Sequence, residues 1–338
     1  MSETPFYLPP EWAPQAAIWV GWPHLRGEWG GAFDGARAEI ASFVNAAAKI
    51  TPVRIACGSR EAYASALFQF EPLIEAEQVS LHPLPAGDIW LRDTGPLIGF
   101  QGRMRQALSF QFNGWGGKFQ MSGDTMTAGG ITSAEHIPRR TYDFILEGGA
   151  IDLDGAGTLL TTRQCLLNPN RNPNWTEKAA EVALRDAFNI EHILWLEEGL
   201  LNDHTDGHID NIARFIGPRH VLCQRPFGQD DPNAVTLAAI ESALRGFGLR
   251  VDTLPSPGLI TDVDGDPVPA SHMNFLISNR TIFLPAYEPR SAKLATNALK
   301  DLLPDYEIID LPARHILAGG GAFHCMTQQV PVFEEQRA

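Results

Sequence analysis

Cysteine is scarce in this chain. Cys57, Cys165, Cys223 and Cys325 are all that 338 residues contain, and no two form a CxxC pair. That spacing excludes a secreted disulfide frame or a sulfur-rich zinc site as the organising device, and leaves the first three as expected core residues. Long apolar runs are also missing: no window reaches the roughly 20 residues of a membrane-spanning helix. The opening MSETPFYLPP has neither a basic cluster nor an apolar stretch, so a cytoplasmic protein is expected. Positive charge is in deficit, with 26 Lys and Arg against 40 Asp and Glu, a net of −14. Such a balance repels nucleic acid and anionic membrane and favours a small cationic partner. No stretch rich in Pro, Ser or charge divides the chain, so one domain over residues 1–338 is expected, and a homo-oligomer is left open.

What is present is an ordinary soluble composition, 44% hydrophobic and 20% charged, arranged in repeats. Apolar residues at helical spacing run from Asp34 to Ile50, behind an Asp able to cap, and PVRIAC follows as a short buried strand. The helix-then-strand pattern returns at Ser59 to Phe70 before VSLHPLP and at Asn174 to Phe188 before EHILWLEE. It returns again at Asp231 to Gly248 before RVDTLPS and at Glu288 to Pro304 before YEIIDLPA. These make five α/β units. Leu254-Pro255 and Leu311-Pro312 end equivalent strands 57 positions apart, a period that argues for modules stacked about a centre. Unusual residues fall in equivalent places after the strands: DIWLRD, DHTDGHID, SHMNFLIS and GGGAFHC. Modules arranged round an axis bring such loops together.

GGGAFHC, Gly319 to Cys325, is the stretch most suggestive of chemistry. Glycines allow close backbone approach, and a thiolate is a strong nucleophile when positive charge lowers its pKa. A small buried hydrophobe is the other reading of Cys325, and the motif alone leaves both open. Three further stretches supply the partners such a cysteine needs: DIWLRDTGP (Asp88 to Pro96), LEGGAIDLDGAGT (Leu146 to Thr158) and DHTDGHIDN (Asp203 to Asn211). With TTRQCLLNPNRNP (Thr161 to Pro173) and a start at EWAPQAAIWVGWP (Glu11 to Pro23), the chain resembles, in order and spacing, the agmatine deiminase family of guanidino-group-modifying enzymes.

The resemblance implies a five-bladed pseudo-symmetric α/β propeller of ββαβ-type modules, with the site at one end of a central channel. A guanidinium is a flat cation with a poorly electrophilic carbon, so its hydrolysis asks for paired carboxylates and a strong nucleophile. The family pattern casts Asp93 and Asp210 as the clamp, His208 as general acid and base, and Cys325 as nucleophile. An ion pair of Asp93 with Arg92, a turn cap for Asp210 and a structural role for His208 are the plain alternatives. Trp90 and Glu147 match pocket residues of the family, and Asn274, in HMNF where the family commonly has YxNF, is a support residue toward substrate; the tyrosine of that motif is His272 here. The family's indole face suits a cation or its methylene tail.

Two positions depart from the pattern. His204 stands where the family carries a carboxylate that helps to recognise the amine of agmatine, with Asp203 and Asp206 flanking it as substitutes, and Arg163 replaces a glutamate. The resemblance therefore implies a C–N hydrolase that turns agmatine into N-carbamoylputrescine and ammonia through an amidino-cysteine, without metal or organic cofactor. A deiminase of another guanidine is the alternative. A metal-dependent hydrolase using His208 and Asp210 with Asp93 or His324, and a guanidine-binding protein without turnover, are the remaining readings.

Overall fold

In the computed structural model, which describes residues 4–333, the strands form five separate sheets. The repeating unit is clearest in the last: Leu276–Ser278 and Thr281–Ala286 form an antiparallel hairpin, helix Pro289–Leu302 crosses over, and Glu307–Pro312 returns parallel. Glu288 starts that helix by accepting the N–H groups of Arg290 and Ser291, and Pro289 occupies a first-turn position where its missing N–H costs nothing. The helix buries Ala292, Ala295 and Leu299 on its inner face. Helices Asp124–Ala134, Glu177–Phe188 and Ala234–Gly246 make the same crossover in three other blades.

The remaining blade is assembled from both ends of the chain. Thr327–Pro331 lies antiparallel to Gln15–Gly21, and Val53–Cys57 and Val79–Pro83 add in parallel. Apolar packing then links each blade to the next around a closed ring. Trp19 and Ile98 share one core, Leu108 and Leu159 a second, Leu160 and Phe215 a third, and Leu254 and Leu284 a fourth. Phe43 closes the circle by packing on Phe283 at 5.2 Å and Phe323 at 4.9 Å. Strands Gln15–Gly21 and Thr158–Thr162 are buried on both faces, which is why QAAIWVG and TLLTT show no alternation of buried and exposed positions.

The expected number of units stands, but not their membership. Val53–Cys57 and Val79–Pro83 belong to one sheet, so the first two helix–strand pairs share a blade. The unit that periodicity missed is helix Asp124–Ala134 with strand Arg139–Ile145. Its sequence, DTMTAGGITSA, has two glycines and little contrast between faces, so helical spacing leaves almost no trace. Asp34 does not cap: its helix begins at Phe33, and its carboxylate is bonded to Arg26.

With that unit restored, one functional loop follows the last strand of every blade. The loops contain Asp93, Glu147 to Gly149, His208 with Asp210, Asn274, and Cys325.

Candidate active site

Those loops meet in a buried cluster. Asp93 sits in a single helical turn, Leu91–Thr94, where Oδ1 accepts the Gly149 N–H at 2.9 Å and Oδ2 accepts the Trp115 indole N–H at 2.8 Å. His208 Nδ1 is 3.7 Å from Asp93 Oδ2. Asp210 Oδ2 accepts from His324 Nδ1 at 2.7 Å and from the Cys325 thiol at 3.4 Å, while Oδ1 is buried with no hydrogen-bond partner among the described residues. A side chain at Gly149 has nowhere to go. Its Cβ would lie 2.6 Å from His208 Nδ1, 2.9 Å from Asp93 Oδ1 and 3.0 Å from Asp210 Oδ2.

Electrostatics follow from this crowding. Burial, with the charges of Asp210 and Asp93, pushes the Cys325 thiol well above its ordinary range, against an opposing hydrogen bond from Asn274. Burial also disfavours the His208 cation, yet Asp93, Cys165 and Glu147 outweigh it and hold the imidazole well above its usual value. For Asp93, burial wins and raises the carboxyl despite His208 and Trp115. For Asp210, the burial penalty is overcome by the hydrogen bond and charge of His324, with His208 and Arg214 adding to them, so its carboxyl is lowered.

Asp93 and Cys325 open into a cavity of about 110 Å³ whose walls include Trp29, Trp90, Trp115, Phe119, Asp88 and His204. Trp29 and Trp90 stack at 5.9 Å. The GGG loop permits this closeness, since a Cβ on Gly319 would come within 2.6 Å of Trp29 and 2.9 Å of Trp90. A wider groove of about 1180 Å³ adjoins the cavity, sharing Trp29, Phe119, His204 and Gly320 as walls.

Several expected residues stand elsewhere than on the cavity wall. Glu147 is fully buried behind His208, and its Oε1 accepts from Arg171 Nε at 2.6 Å, the pairing that burial of a carboxylate demands. Asn274 braces the cysteine loop. Its Nδ2 donates to Cys325 Sγ at 2.9 Å, and its Oδ1 accepts the N–H groups of Ala322 and Cys325 at 3.1 and 3.2 Å. Asp203 lines only the outer groove, and its carboxylate is turned to Thr205 and Asn211. Cys165 is more than a core residue: its thiol stands beside His208 and Glu147, the three ligand-type atoms lying within 4.8 Å. This trio, not His208 and Asp210 with Asp93 or His324, is what geometry groups as metal-ligand atoms among the described residues. Arg171 beside Glu147 sets a cation against any ion there.

Sequence reasoning missed Trp115, Gly149, Trp29 and above all Glu11. His324 reaches Glu11 Oε2 through Nε2 at 2.9 Å, and that carboxylate also faces Arg214 at 2.9 Å and Arg92 at 3.5 Å.

The profile of the Porphyromonas-type peptidyl-arginine deiminases matches residues 7–331. A protein of Yersinia pseudotuberculosis, provisionally named an agmatine deiminase, is 36% identical over 96% of this chain and 95% of its own. The structure of the Enterococcus faecalis agmatine deiminase superposes with a TM-score of 0.90 at 30% identity, covering 98% of both chains. A cysteine-to-serine variant of the C. jejuni agmatine deiminase with substrate bound gives 0.88 at 28% identity, over 96% of both.

The chain belongs to this deiminase family. It is thus a guanidino-modifying enzyme, a hydrolase of amidine C–N bonds. As a deiminase it keeps its departures at the rim and in the wall. Arg163 is a surface residue, paired with Glu177 and Glu197 at 2.9 Å each and stacked on Trp195. His272 is buried against the Pro285 carbonyl at 2.9 Å and pushed down to about 4 by burial, so it stays neutral. His204 alone touches the cavity. Its carbonyl and the neighbouring Asp206 carboxylate both bind the Lys118 ammonium.

Proposed function

We propose that this deiminase acts on agmatine, converting the guanidinium to a ureido group (N-carbamoylputrescine) and releasing ammonia. The observation that carries this reading is the meeting of the Cys325 thiol with two buried carboxylates, Asp93 and Asp210, beside an aromatic cavity. Paired carboxylates suit a flat cation, and sulfur suits attack on its carbon. The names of the Enterococcus and C. jejuni structures make agmatine the first compound to try.

In this reading a guanidinium between Asp93 and the buried, unpartnered Oδ1 of Asp210 offsets the negative charges that hold the Cys325 thiol protonated. Binding and thiol ionisation are therefore linked, and the thiol gives its proton to water. Sulfur bonds to the guanidinium carbon. The His208 imidazolium delivers its proton to the departing nitrogen, ammonia leaves, and a thiouronium remains on Cys325. Neutral His208 then takes a proton from water as the oxygen bonds to carbon, the C–S bond breaks, and the ureido product forms. Glu147 and Cys165 behind His208 favour its charged form.

Ammonia release measured over agmatine, arginine, a peptidyl-arginine substrate and shorter guanidines tests the proposal. Agmatine is expected to have the highest kcat/KM, and a clear preference for any other compound sinks it. Deimination of another guanidine is the second reading, favoured by His204 at a position where the family resemblance implies a carboxylate.

A further inference from the structure

The loss of a carboxylate at position 204 leaves a question of charge that the cavity itself answers. Asp206, one of the flanking acids, is bound by Lys118, Asn170 and Arg171, and Asp203 by Thr205 and Asn211. Both are committed to holding the loop in shape. Apart from Asp93, the carboxyls on the cavity wall are Glu28, which is exposed, and Asp88, which is 6% exposed.

Asp88 is a buried carboxyl without a cation. Its Oδ1 accepts the Trp29 indole N–H at 3.1 Å, and among the described residues it forms no ion pair. Uncompensated burial of such a group is unfavourable and is seldom kept without use. It sits where the stacked Trp29 and Trp90 rings form one wall, with Trp115 and Phe119 on others, surfaces that suit methylenes and a cation together. Asp93 and Cys325 belong to the same small space, so a guanidinium on them leaves the rest of a short alkyl chain within that cavity.

We infer that Asp88 is the specificity-determining residue for the far end of the substrate, and that it takes a primary ammonium carried a few methylenes from the guanidinium. The inference rests on the guanidine-deiminase reading above and names the group that chooses its substrate. Glu28 is the weaker candidate because an exposed carboxylate acts through solvent. The bound ammonium supplies the cation that Asp88 otherwise lacks, and a substrate with a neutral tail leaves it unpaired.

The test compares kcat/KM for agmatine and for n-butylguanidine, which has the same chain without the amine, by ammonia release from the wild type, Asp88→Asn and Glu28→Gln. The wild type is expected to prefer agmatine at least tenfold. Asp88→Asn is expected to lose tenfold or more on agmatine and less than threefold on n-butylguanidine, so that the preference collapses. Equal losses on both compounds assign Asp88 a purely structural role and overturn the inference, as does a selective loss in Glu28→Gln in its place. Should Asp88→Asn not be recovered folded, the wild type decides: equal activity on the two compounds overturns the inference while leaving the deiminase reading standing. A wild type inert toward every guanidine sinks both.

Discussion

Cys325 keeps its proton because burial, Asp210 and Asp93 all oppose a thiolate there. Only a cation placed against the two carboxylates removes that opposition, so substrate and nucleophile are activated in one event. Cys325→Ser makes nearly the same contacts but offers a far weaker nucleophile. Its turnover is expected to fall by three orders of magnitude or more with Tm little changed, and acid-quenched wild type is expected to carry an amidino adduct at Cys325 by mass spectrometry. An adduct on another residue, or a serine variant that turns over well, rules out the assignment. Asp88 gives a second prediction from the same physics. Burial, against the hydrogen bond from Trp29, pushes its carboxyl up to about 7, while neighbouring Asp124 is pushed up to about 6. A folded value above the unfolded 3.8 means that the stability lent by the neutral acid is full below about pH 4 and lost as pH rises through 7. Asn mimics the neutral acid. Asp88→Asn should melt with the wild type at pH 4 and above it at pH 8, by up to ~4 kcal/mol at ~1.4 kcal/mol per unit. Equal gaps at both pH values contradict this.

At the scale of elements, the site is made of loops that follow the last strand of each blade, and the placing of unusual residues just after strands is legible in the sequence. Four of the five loops stand out by their unusual residues, and the helix–strand rhythm placed them correctly. The fifth, at Glu147 to Gly149, was recognised only by its likeness to a family motif, because the helix that precedes it, Asp124–Ala134, hides its period behind glycines. Distances were not legible at all. No spacing in LEGGAIDLDG tells that a Cβ at Gly149 would press to within 3.0 Å of three functional groups from two other blades. Its N–H also holds Asp93, so Gly149 both binds and makes room. Gly149→Ala must push His208, Asp93 or Asp210 aside. Overpacking of this kind costs ~1–3 kcal/mol in stability, whereas a displacement of about 1 Å in reacting groups costs ~100-fold in rate. The expected result is a kcat/KM lower by tenfold to a hundredfold with a modest fall in Tm. Gly246→Ala, where a Cβ meets nothing within 4 Å, serves as the comparison and should leave both unchanged. An unaffected rate in Gly149→Ala would mean that the cluster is looser than these distances.

For the whole molecule, closure of the ring does chemical as well as structural work. Strand Gln15–Gly21 pairs with the C-terminal Thr327–Pro331, which carries the segment before the first blade under the active site. There Glu11 Oε1 accepts the Ile277 N–H at 2.7 Å, and Oε2 faces His324, Arg214 and Arg92. Both ring nitrogens of His324 lie against carboxylate oxygens, Asp210 on one side at 2.7 Å and Glu11 on the other at 2.9 Å. Glu11 thereby fixes the imidazole that fixes Asp210 through Oδ2, and Asp210 Oδ1 is left buried without a hydrogen-bond partner among the described residues. None of this was readable in the sequence, because residue 11 lies outside every motif with chemistry and meets residue 324 only when the circle closes. The balance of charges predicts what its removal does. Burial works against the Glu11 anion, but Arg214, His324 and Arg92 outweigh it and lower its carboxyl far below the usual range. A depressed folded value means stability that is present above the unfolded value of about 4.5 and lost as pH falls below it. Glu11→Gln leaves buried cations short of a partner, a change of ~3–5 kcal/mol. The variant is therefore expected to melt well below the wild type at pH 7, with the gap narrowing toward pH 3, where Glu11 is protonated in the unfolded chain while the native carboxylate still holds its charge. Its kcat/KM for agmatine should fall more than its folded fraction accounts for, because Asp210 loses its fixed orientation. Melting curves at pH 3 and 7, with kinetics on the folded variant at pH 7, separate the two effects. A rate unchanged in folded Glu11→Gln would reduce Glu11 to a fastening of the ring, and a gap equal at both pH values would show that its charge is not what the cluster needs.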